Sequence, residues 1–377
     1  MQLSSWIKAE AARLGFPFAG ITTLAPPPHL ESFLTWIAAG RHASMTYLSV
    51  PHNLEKRASP DLILPEAKSI LVLGMPFMPS LNGGSSTDSQ FGQVASYAWG
   101  ADYHEIIPPR VVELAGQIGD HLGCQVKHRA YTDTGPILER DFAQRAGLGW
   151  AGKNTCLIHP KKGSYFFLAE LFIDIELEPD LPFLPDQCGN CRRCIDACPT
   201  DCIREDRTLD ADLCISYQTI ENKGPIPLNL RPKIGNWVFG CDVCQQVCPW
   251  NRFATSDEVD PVFQPRAEIF APELVAEILL DAPAFNQKFR FSPIRRAKRR
   301  GYLRNVCIAL GNSQDAEALP GLITILRNEP EVLVRGAAAW ALGQMGSAKA
   351  YTALRDAMPG ETDRQVREEI SAALQMD

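Results

Sequence analysis

The sequence predicts an α+β protein in three parts: a mixed α/β domain over residues 1–180, a small cysteine-rich domain over 181–255 and a helical region over 256–377. Three observations predict this order. Helical apolar spacing and short apolar runs share the first part, regularly spaced cysteines occupy the second, and an arginine-led pattern recurs through the third.

In the first part, Leu3, Trp6, Ile7, Ala11 and Leu14 fall at helical spacing, with Ser4 or Ser5 as the expected N-cap. Ser-Ile-Leu-Val-Leu-Gly-Met, from Ser69 to Met75, is a short apolar run and reads as a buried strand. Residues 80–89, rich in Gly, Ser and Asn, read as a mobile loop. Pro109 to Leu122 reads as an amphipathic helix with Pro108 and Pro109 near its start. Residues 164–175 read as a long strand, and 178–186, with three prolines, as a linker.

The second part opens with Cys188-Gly-Asn-Cys191-Arg-Arg-Cys194-Ile-Asp-Ala-Cys198-Pro199, a C-x2-C-x2-C-x3-C-P run. After Cys214 it closes with Cys241-Asp-Val-Cys244-Gln-Gln-Val-Cys248-Pro249. That is the spacing of two 4Fe–4S clusters in a ferredoxin-like module, where the fourth cysteine of each run ligates the other cluster. The crossing assigns Cys188, Cys191, Cys194 and Cys248 to one cluster, and Cys214, Cys241, Cys244 and Cys198 to the second. A disulfide framework suits short secreted chains, and structural zinc uses two C-x2-C pairs or mixed Cys/His sets, so neither fits as well. The part reads as an electron-transfer module. Cys124, Cys156, Cys202 and Cys307 fall outside the ligand set and read as small apolar residues. The seven histidines show no paired metal-binding spacing.

A chain of 377 residues, 45% hydrophobic, is long enough for two or three cored domains. No apolar run reaches the roughly 18 residues that a membrane span needs, and the N-terminus lacks a secretory layout. Abundant thiols and oxygen-sensitive clusters point to a reducing cytoplasm. The net charge of -7 argues against general nucleic-acid binding, although it hides a local basic stretch.

Two phosphate-loop lookalikes precede the cysteines. Gly147-Leu-Gly149-Trp-Ala-Gly152 matches G-x-G-x-x-G but follows a polar helical stretch, Glu139 to Arg145, where a dinucleotide loop follows a strand. Gly147 to Lys153 nearly matches a Walker loop, but Asn154 replaces the magnesium-binding Ser or Thr. A glycine loop closely approaching some other ligand remains open. Upstream, Asp133 in Tyr131-Thr-Asp133-Thr-Gly135-Pro136 is either a turn former or a general acid at a loop, and the residues favour the turn.

In the third part, Leu303-Arg304, Val334-Arg335 and Val366-Arg367 each lead an alanine-rich helix, a period of about 31 to 32 residues that fits HEAT-like helix pairs. Before them, Lys288, Arg290, Arg295, Arg296, Lys298, Arg299, Arg300 and Arg304 follow one another with no intervening Asp or Glu. Phe289, Phe291 and Tyr302 interleave with them as candidates to pack or to stack on bases. The spacings 295/299 and 296/300 place arginines on one helical side, suited to phosphates of RNA or another polyanion.

This order of parts, with Tyr131-Thr-Asp-Thr-Gly-Pro, Gly149-Trp-Ala-Gly-Lys-Asn, Cys214-Ile-Ser-Tyr-Gln-Thr-Ile-Glu and Gly240-Cys-Asp-Val-Cys-Gln-Gln-Val-Cys-Pro-Trp-Asn, resembles the epoxyqueuosine reductase family over nearly the whole chain. The front half of that family is similar to reductive dehalogenases, which couple cobalamin to two clusters. The resemblance implies a bacterial tRNA-modification enzyme that reduces the epoxide of epoxyqueuosine, at the anticodon wobble position, to queuosine, the last step of queuosine biosynthesis. It also implies cobalamin, held without a protein histidine on cobalt because the D-x-H-x-x-G motif is missing. By resemblance, Arg57, Tyr97, Asp133, Ser216 and Asp242 contact the corrin or its pocket, and the Thr155 to Ile158 backbone lines it. Asp133 becomes the proton donor, provided burial raises its pKa.

The same resemblance places Asn222 and Lys223 near the anticodon loop and Arg295, Arg296, Lys298, Arg299 and Arg300 against the tRNA. It implies a cytoplasmic monomer fed by an external electron donor and not associated with a membrane. Two rivals remain: a small-molecule reductive dehalogenase, which would not need the basic repeats, and a ferredoxin-like carrier, which would leave the first 180 residues unexplained.

Overall fold

The computed structural model describes residues 2–77, 88–254 and 259–375, so most of the expected loop at 80–89 lies outside the described residues. Eight strands are described: β1 (Phe18–Thr22), β2 (Ser69–Pro76), β3 (Gln93–Val94), β4 (His128–Tyr131), β5 (Trp150–Ala151), β6 (Leu157–Ile158), β7 (Phe166–Ile173) and β8 (Trp237–Phe239). The chain forms two compact units. One draws on Met1–Leu81, Ala101–Asp212 and Val243–Gln264, and the other on Asn82–Gly100, Leu213–Asp242 and Pro265–Asp377.

The first unit is built on an antiparallel sheet in the order β1-β2-β7-β4. β2 is buried at every position, as its unbroken apolar run requires of a central strand. The helix Glu139–Arg145 packs on β1, β2 and β7, and Phe142, Val72, Phe18 and Phe172 meet in the core beneath it. The first helix, Leu3–Arg13, buries Ile7 and Ala11 as expected. Its N-cap is Gln2, without a side-chain cap bond, so Ser4 and Ser5 lie inside the first turn rather than capping it.

The second expected helix starts earlier than its prolines suggest, running Tyr103–Leu122 from the N-cap Asp102. The Asp102 carboxylate accepts the His104 amide at 3.1 Å, an ordinary N-cap bond, and this capping overrides the proline signal. Pro108 and Pro109 then lie inside the helix and cannot donate to the carbonyls of His104 and Glu105. The linker at 178–186 has no regular structure but is tied to β1: Asp180 accepts the Ile21 amide at 2.7 Å and the Lys8 ammonium at 2.5 Å.

In the second unit β3 pairs in parallel with β8. The helices Lys298–Ser313, Leu319–Asn328, Val332–Met345, Ala348–Ala357 and Arg364–Leu374 form the repeats, and the first, third and fifth pack in succession. Small residues permit the close crossings. A Cβ on Gly311 would lie 2.9 Å from the Ala341 Cα, and one on Gly343 would lie 3.0 Å from the Ala373 Cα. The loops repeat as well: Arg299 forks onto the Glu329 carboxylate at 2.7 and 2.9 Å, and Arg335 onto Glu361 at 2.8 and 3.0 Å. Among the described residues no helix is long and apolar enough to cross a membrane.

Candidate functional site

Cys188, Cys191, Cys194 and Cys248 all belong to the first unit, as do Cys198 and Cys244; Cys214 and Cys241 belong to the second. The short helices Arg193–Asp196 and Val243–Gln246, one from each cysteine run, pack against each other. Burial, together with the neighbouring Cys188 and Cys248, pushes the Cys194 thiol up to about 11. Burial and Cys188 likewise push Cys248 up. Three thiols of the first set therefore feel one another's charge, which is the donor chemistry that a cationic cluster core neutralises. Among the described residues no three His, Cys, Asp or Glu side chains converge on one ion position. Cluster ligands need not converge so, since each takes a different iron.

The residues around these cysteines correct two sequence readings. Cys202 is buried but not inert: its Sγ lies 3.5 Å from the Cys198 Sγ, and this hydrogen bond leads the causes that bring Cys198 down to about 5. Cys124 is exposed, whereas Cys307 is the buried apolar filler expected. In the glycine-rich loop Gly149 lies against the protein's own backbone, since a Cβ there would lie 2.0 Å from the Ile158 carbonyl oxygen. That packing aims the loop at the cluster segment. Trp150 Nε1 donates to the Cys188 Sγ at 3.4 Å, and Lys153 Nζ donates to the Gly189 and Cys191 carbonyls at 2.7 and 3.0 Å.

Asp133 follows β4 with φ 58°, a left-handed conformation that a side chain adopts at some cost. Tyr103 Oη donates to its Oδ2 at 2.7 Å, and His104 Nε2 lies 3.5 Å from the same oxygen. The side chain remains 64% exposed. Desolvation pushes its pKa up, but the His104 and Tyr103 hydrogen bonds and the charges of His104 and Arg140 outweigh it, holding Asp133 below the ordinary carboxylate value. The condition set on the sequence, a pKa raised by burial, is therefore not met in this arrangement. His104 carries the proton instead. Desolvation alone would lower it, yet Asp102, at 2.8 Å, and Asp133 together raise it to about 9.

Arg57 is buried in the first unit, 5.4 Å above the Phe33 ring, and donates to the Leu48 carbonyl at 3.3 Å. In the same unit the Thr155 carbonyl accepts Arg140, so that part of the 155–158 backbone is engaged internally. Tyr97, Ser216 and Asp242 belong to the second unit. Buried Asp242 accepts the Ser96 amide at 2.7 Å, and burial pushes its carboxyl up. The buried Ser96 hydroxyl faces the same carboxyl, next to half-buried Tyr97.

The basic stretch differs most from its linear reading. Counter-charges arrive from elsewhere in the chain: Glu277 pairs with Lys288, Glu221 with Arg296 at 2.8 Å and Glu329 with Arg299 at 2.7 Å. Arg304 is buried, donating to the carbonyls of Gln218, Asn222 and Gly224. Residues 293–297 form a 3-10 turn and Lys298 has φ 58°, so 295/299 and 296/300 do not share one helical side. Phe289 and Tyr302 pack against each other in the core at 5.0 Å, and only Phe291 of the three aromatics is exposed. Arg290, Arg295, Arg296 and Lys298 remain exposed. Lys223 Nζ donates to the Arg296 carbonyl at 2.9 Å, which joins the 222–223 loop to this patch. Burial, followed by the nearby Arg296, Arg304 and Lys298 charges against Glu221, pulls Lys223 down.

Sequence reasoning passed over Tyr103, His104, Glu139, Glu170 and Trp150. Only Trp150 carried a signal, inside the glycine-rich motif.

Three family models match the chain: "Epoxyqueuosine reductase QueG, DUF1730" over residues 57–134, "4Fe-4S double cluster binding domain" over 187–251 and "HEAT repeats" over 295–375. The chain is 39% identical over 354 residues to an epoxyqueuosine reductase of Pseudomonas aeruginosa, covering 92% of this chain and 95% of the relative. It is 37% identical over 346 residues to that of Escherichia coli, covering 91% and 89%. Among solved structures, an epoxyqueuosine reductase with an epoxyqueuosine-modified tRNA-Tyr stem loop matches with TM-score 0.91 at 32% identity, covering 100% of this chain and 98% of that one. The Bacillus subtilis epoxyqueuosine reductase with its catalytic loop swung out of the active site matches with TM-score 0.91 at 31% identity, covering 100% and 99%.

Proposed function

Because the chain belongs to the epoxyqueuosine reductase family, we propose that it reduces the epoxide of epoxyqueuosine at the tRNA wobble position to queuosine, with Asp133 delivering a proton. The observation that carries the reading is the Asp133 carboxyl, open to solvent at the end of β4 and bonded to Tyr103 and His104. Removing the epoxide oxygen as water, leaving an alkene, takes two electrons and two protons. A 4Fe–4S double-cluster domain passes electrons one at a time. Cobalamin, when bound, supplies a cobalt centre able to store them.

Arg57, Tyr97, Ser216 and Asp242 are the residues we assign to hold that cofactor, together with Asp133. The fit rests on polar groups with bonding capacity to spare. The buried Asp242 carboxyl, pushed toward its neutral form and so able both to donate and to accept, suits the amide side chains of a corrin, with the Ser96 hydroxyl beside it. The resting Asp133 is a carboxylate, so its proton must come from a neighbour; His104, protonated at neutral pH and 3.5 Å away, supplies it. Arg295, Arg296, Lys298, Arg299, Arg300, Asn222 and Lys223 are assigned to tRNA, with Arg299 contributing least because Glu329 already holds it. An external electron donor, a monomeric state and a cytoplasmic location complete the reading.

The test is anaerobic turnover by cluster-loaded protein with cobalamin, a chemical reductant and tRNA carrying epoxyqueuosine, read by nucleoside mass spectrometry. Loss of one oxygen mass is expected, slowed about 10²- to 10⁴-fold in Asp133→Asn. Conversion at the unaltered rate in that variant would return Asp133 to a turn-forming role. No conversion by fully loaded protein would overturn the activity.

A further inference from the structure

Two carboxyls behind the Asp133 loop have no place in the reaction as described. Glu139 begins the helix Glu139–Arg145, and its Oε1 accepts the Asp133 amide N–H at 2.6 Å. Glu170 sits in the middle of β7, in register with Val72 on β2 and Tyr131 on β4. It is 0% exposed and faces the Glu139 carboxyl, to which its neutral form can donate. An ionised carboxylate in such a place costs several kcal/mol, so Glu170 is a neutral acid.

We propose that Glu139, backed by the buried Glu170, is the latch that holds the Asp133 loop in its left-handed conformation, and that this latch tightens when Glu139 ionises. Its catalytic importance rests on the reading of Asp133 as proton donor; the latch itself does not.

The geometry carries the argument. A non-glycine residue at φ 58° costs about 1–2 kcal/mol and needs a partner to hold it, and the Glu139 bond fixes the amide of that very residue. A carboxylate acceptor is roughly twice as strong as a neutral one, so the latch tightens when Glu139 ionises. Burial, with the nearby Asp133 charge, raises Glu139 to about 7, despite the Asp133 amide, Arg140 and Glu170, which favour its ionised form. Burial and the facing Glu139 raise Glu170 further.

Few other groups compete. Of the strands that pack on this helix, β1, β2, β5 and β6 contain no ionisable residue, and β7 contributes Glu170 alone. Arg140, Asp141 and Arg145 share the helix with Glu139, and Asp141 is engaged by His29 at 2.7 Å. On the loop side stand Asp133 itself and His104, which stays protonated up to about 9. Between pH 6 and 8 Glu139 is thus the carboxyl that changes, with the His29 imidazole, raised by its Asp141 bond, the other titratable group facing this helix.

The experiment is hydrogen exchange across residues 131–136 in the full cluster-loaded chain, from pH 6 to 8, with each rate divided by the intrinsic rate at that pH. Protection of the Asp133 amide is expected to rise roughly tenfold across this range, following ionisation of a group at about 7. Glu139→Gln keeps an acceptor but no charge, and should give a flat, weakly protected profile. Glu170→Gln keeps a neutral group and should retain the step. A flat profile in the unaltered protein, or a step surviving in Glu139→Gln, would overturn the latch. A step abolished by Glu170→Gln would show that Glu170 is the titrating group, which also overturns the assignment. If exchange behaves as expected while Asp133→Asn turns over normally, the latch stands and the proton-donor reading falls.

Discussion

Asn305 offers the sharpest test of how the second unit is held. It is 0% exposed, one residue after the first arginine of the repeats, and all its bonding capacity is used. Nδ2 donates to the Thr219 and Val238 carbonyls, each at 2.8 Å, and Oδ1 accepts Arg304 Nε at 3.0 Å and Nη2 at 2.8 Å. One amide thus clamps the segment after Cys214 to the strand before Cys241, and Gly240 adds a bond from its amide to Thr219 Oγ1 at 2.9 Å. Asn305→Ala orphans two buried carbonyls, at about 1–3 kcal/mol each, and deprives a buried guanidinium of an acceptor worth about 1.5–3 kcal/mol. Allowing for relaxation, a loss of about 4 kcal/mol follows. At roughly 2–4 °C per kcal/mol for a unit of this size, the melting temperature should fall by about 8–16 °C. The assay is calorimetry of the anaerobic protein, with iron content measured alongside and exposed Asn328→Ala as a control expected within about 0.5 kcal/mol. A shift below about 3 °C, with iron retained, would refute the clamp.

Trp150→Phe removes the indole N–H from the Cys188 Sγ while keeping an aromatic ring between Phe183 and Trp250. If that bond favours the more negative reduced cluster by about 1 kcal/mol, its loss should lower one potential by roughly 40 mV in an anaerobic redox titration. His104 is raised from 6.5 to about 9, so its stabilising contribution is fully present below about 6.5 and lost as pH rises through 9. With the ring partly exposed and screened, this amounts to no more than about 1–2 kcal/mol, and thermal melts of His104→Gln should lack that alkaline decline. Arg295→Ala should weaken tRNA binding and reduce its salt slope by about 0.7–0.9, whereas Arg296→Ala, which also frees Glu221, should change the slope less.

What the sequence made legible is what lies close together along it. Seven of the eight cysteines read as cluster ligands sit in two short runs, β2 is one apolar stretch, and the repeats return every 31 to 32 residues, so local spacing was enough to mark a double-cluster domain and the repeats. The proton chemistry is spread more widely. Asp133 was visible as a candidate, but Tyr103 and His104 reach it from a helix about 30 residues earlier, and Glu170 was hidden in a strand that reads as apolar. The basic stretch misled for the same reason. Its counter-charges, Glu221, Glu277 and Glu329, lie outside it, and no linear count of positives shows which ones a fold will neutralise.

The buried Arg304 and the exposed Arg295 and Arg296 sit in different settings, and the division follows the backbone. Up to Lys298 the chain is a 3-10 turn at the surface, and Arg295 and Arg296 point to solvent. Past it the helix Lys298–Ser313 enters the core, where Arg304 and Asn305 grip the carbonyls of residues 218, 219, 222, 224 and 238. The first repeat helix therefore fixes the loop bearing Asn222 and Lys223 from one side, while the turn before it offers charge beside that loop. A substitution in the grip should loosen the loop and lower tRNA affinity without changing the salt slope. One in the turn should lower the slope without changing the melting temperature. Measuring both quantities on Arg304→Met and Arg295→Ala separates a helix that positions from a surface that binds. Equal loss of slope in the two variants would mean that the division drawn here at Lys298 is wrong.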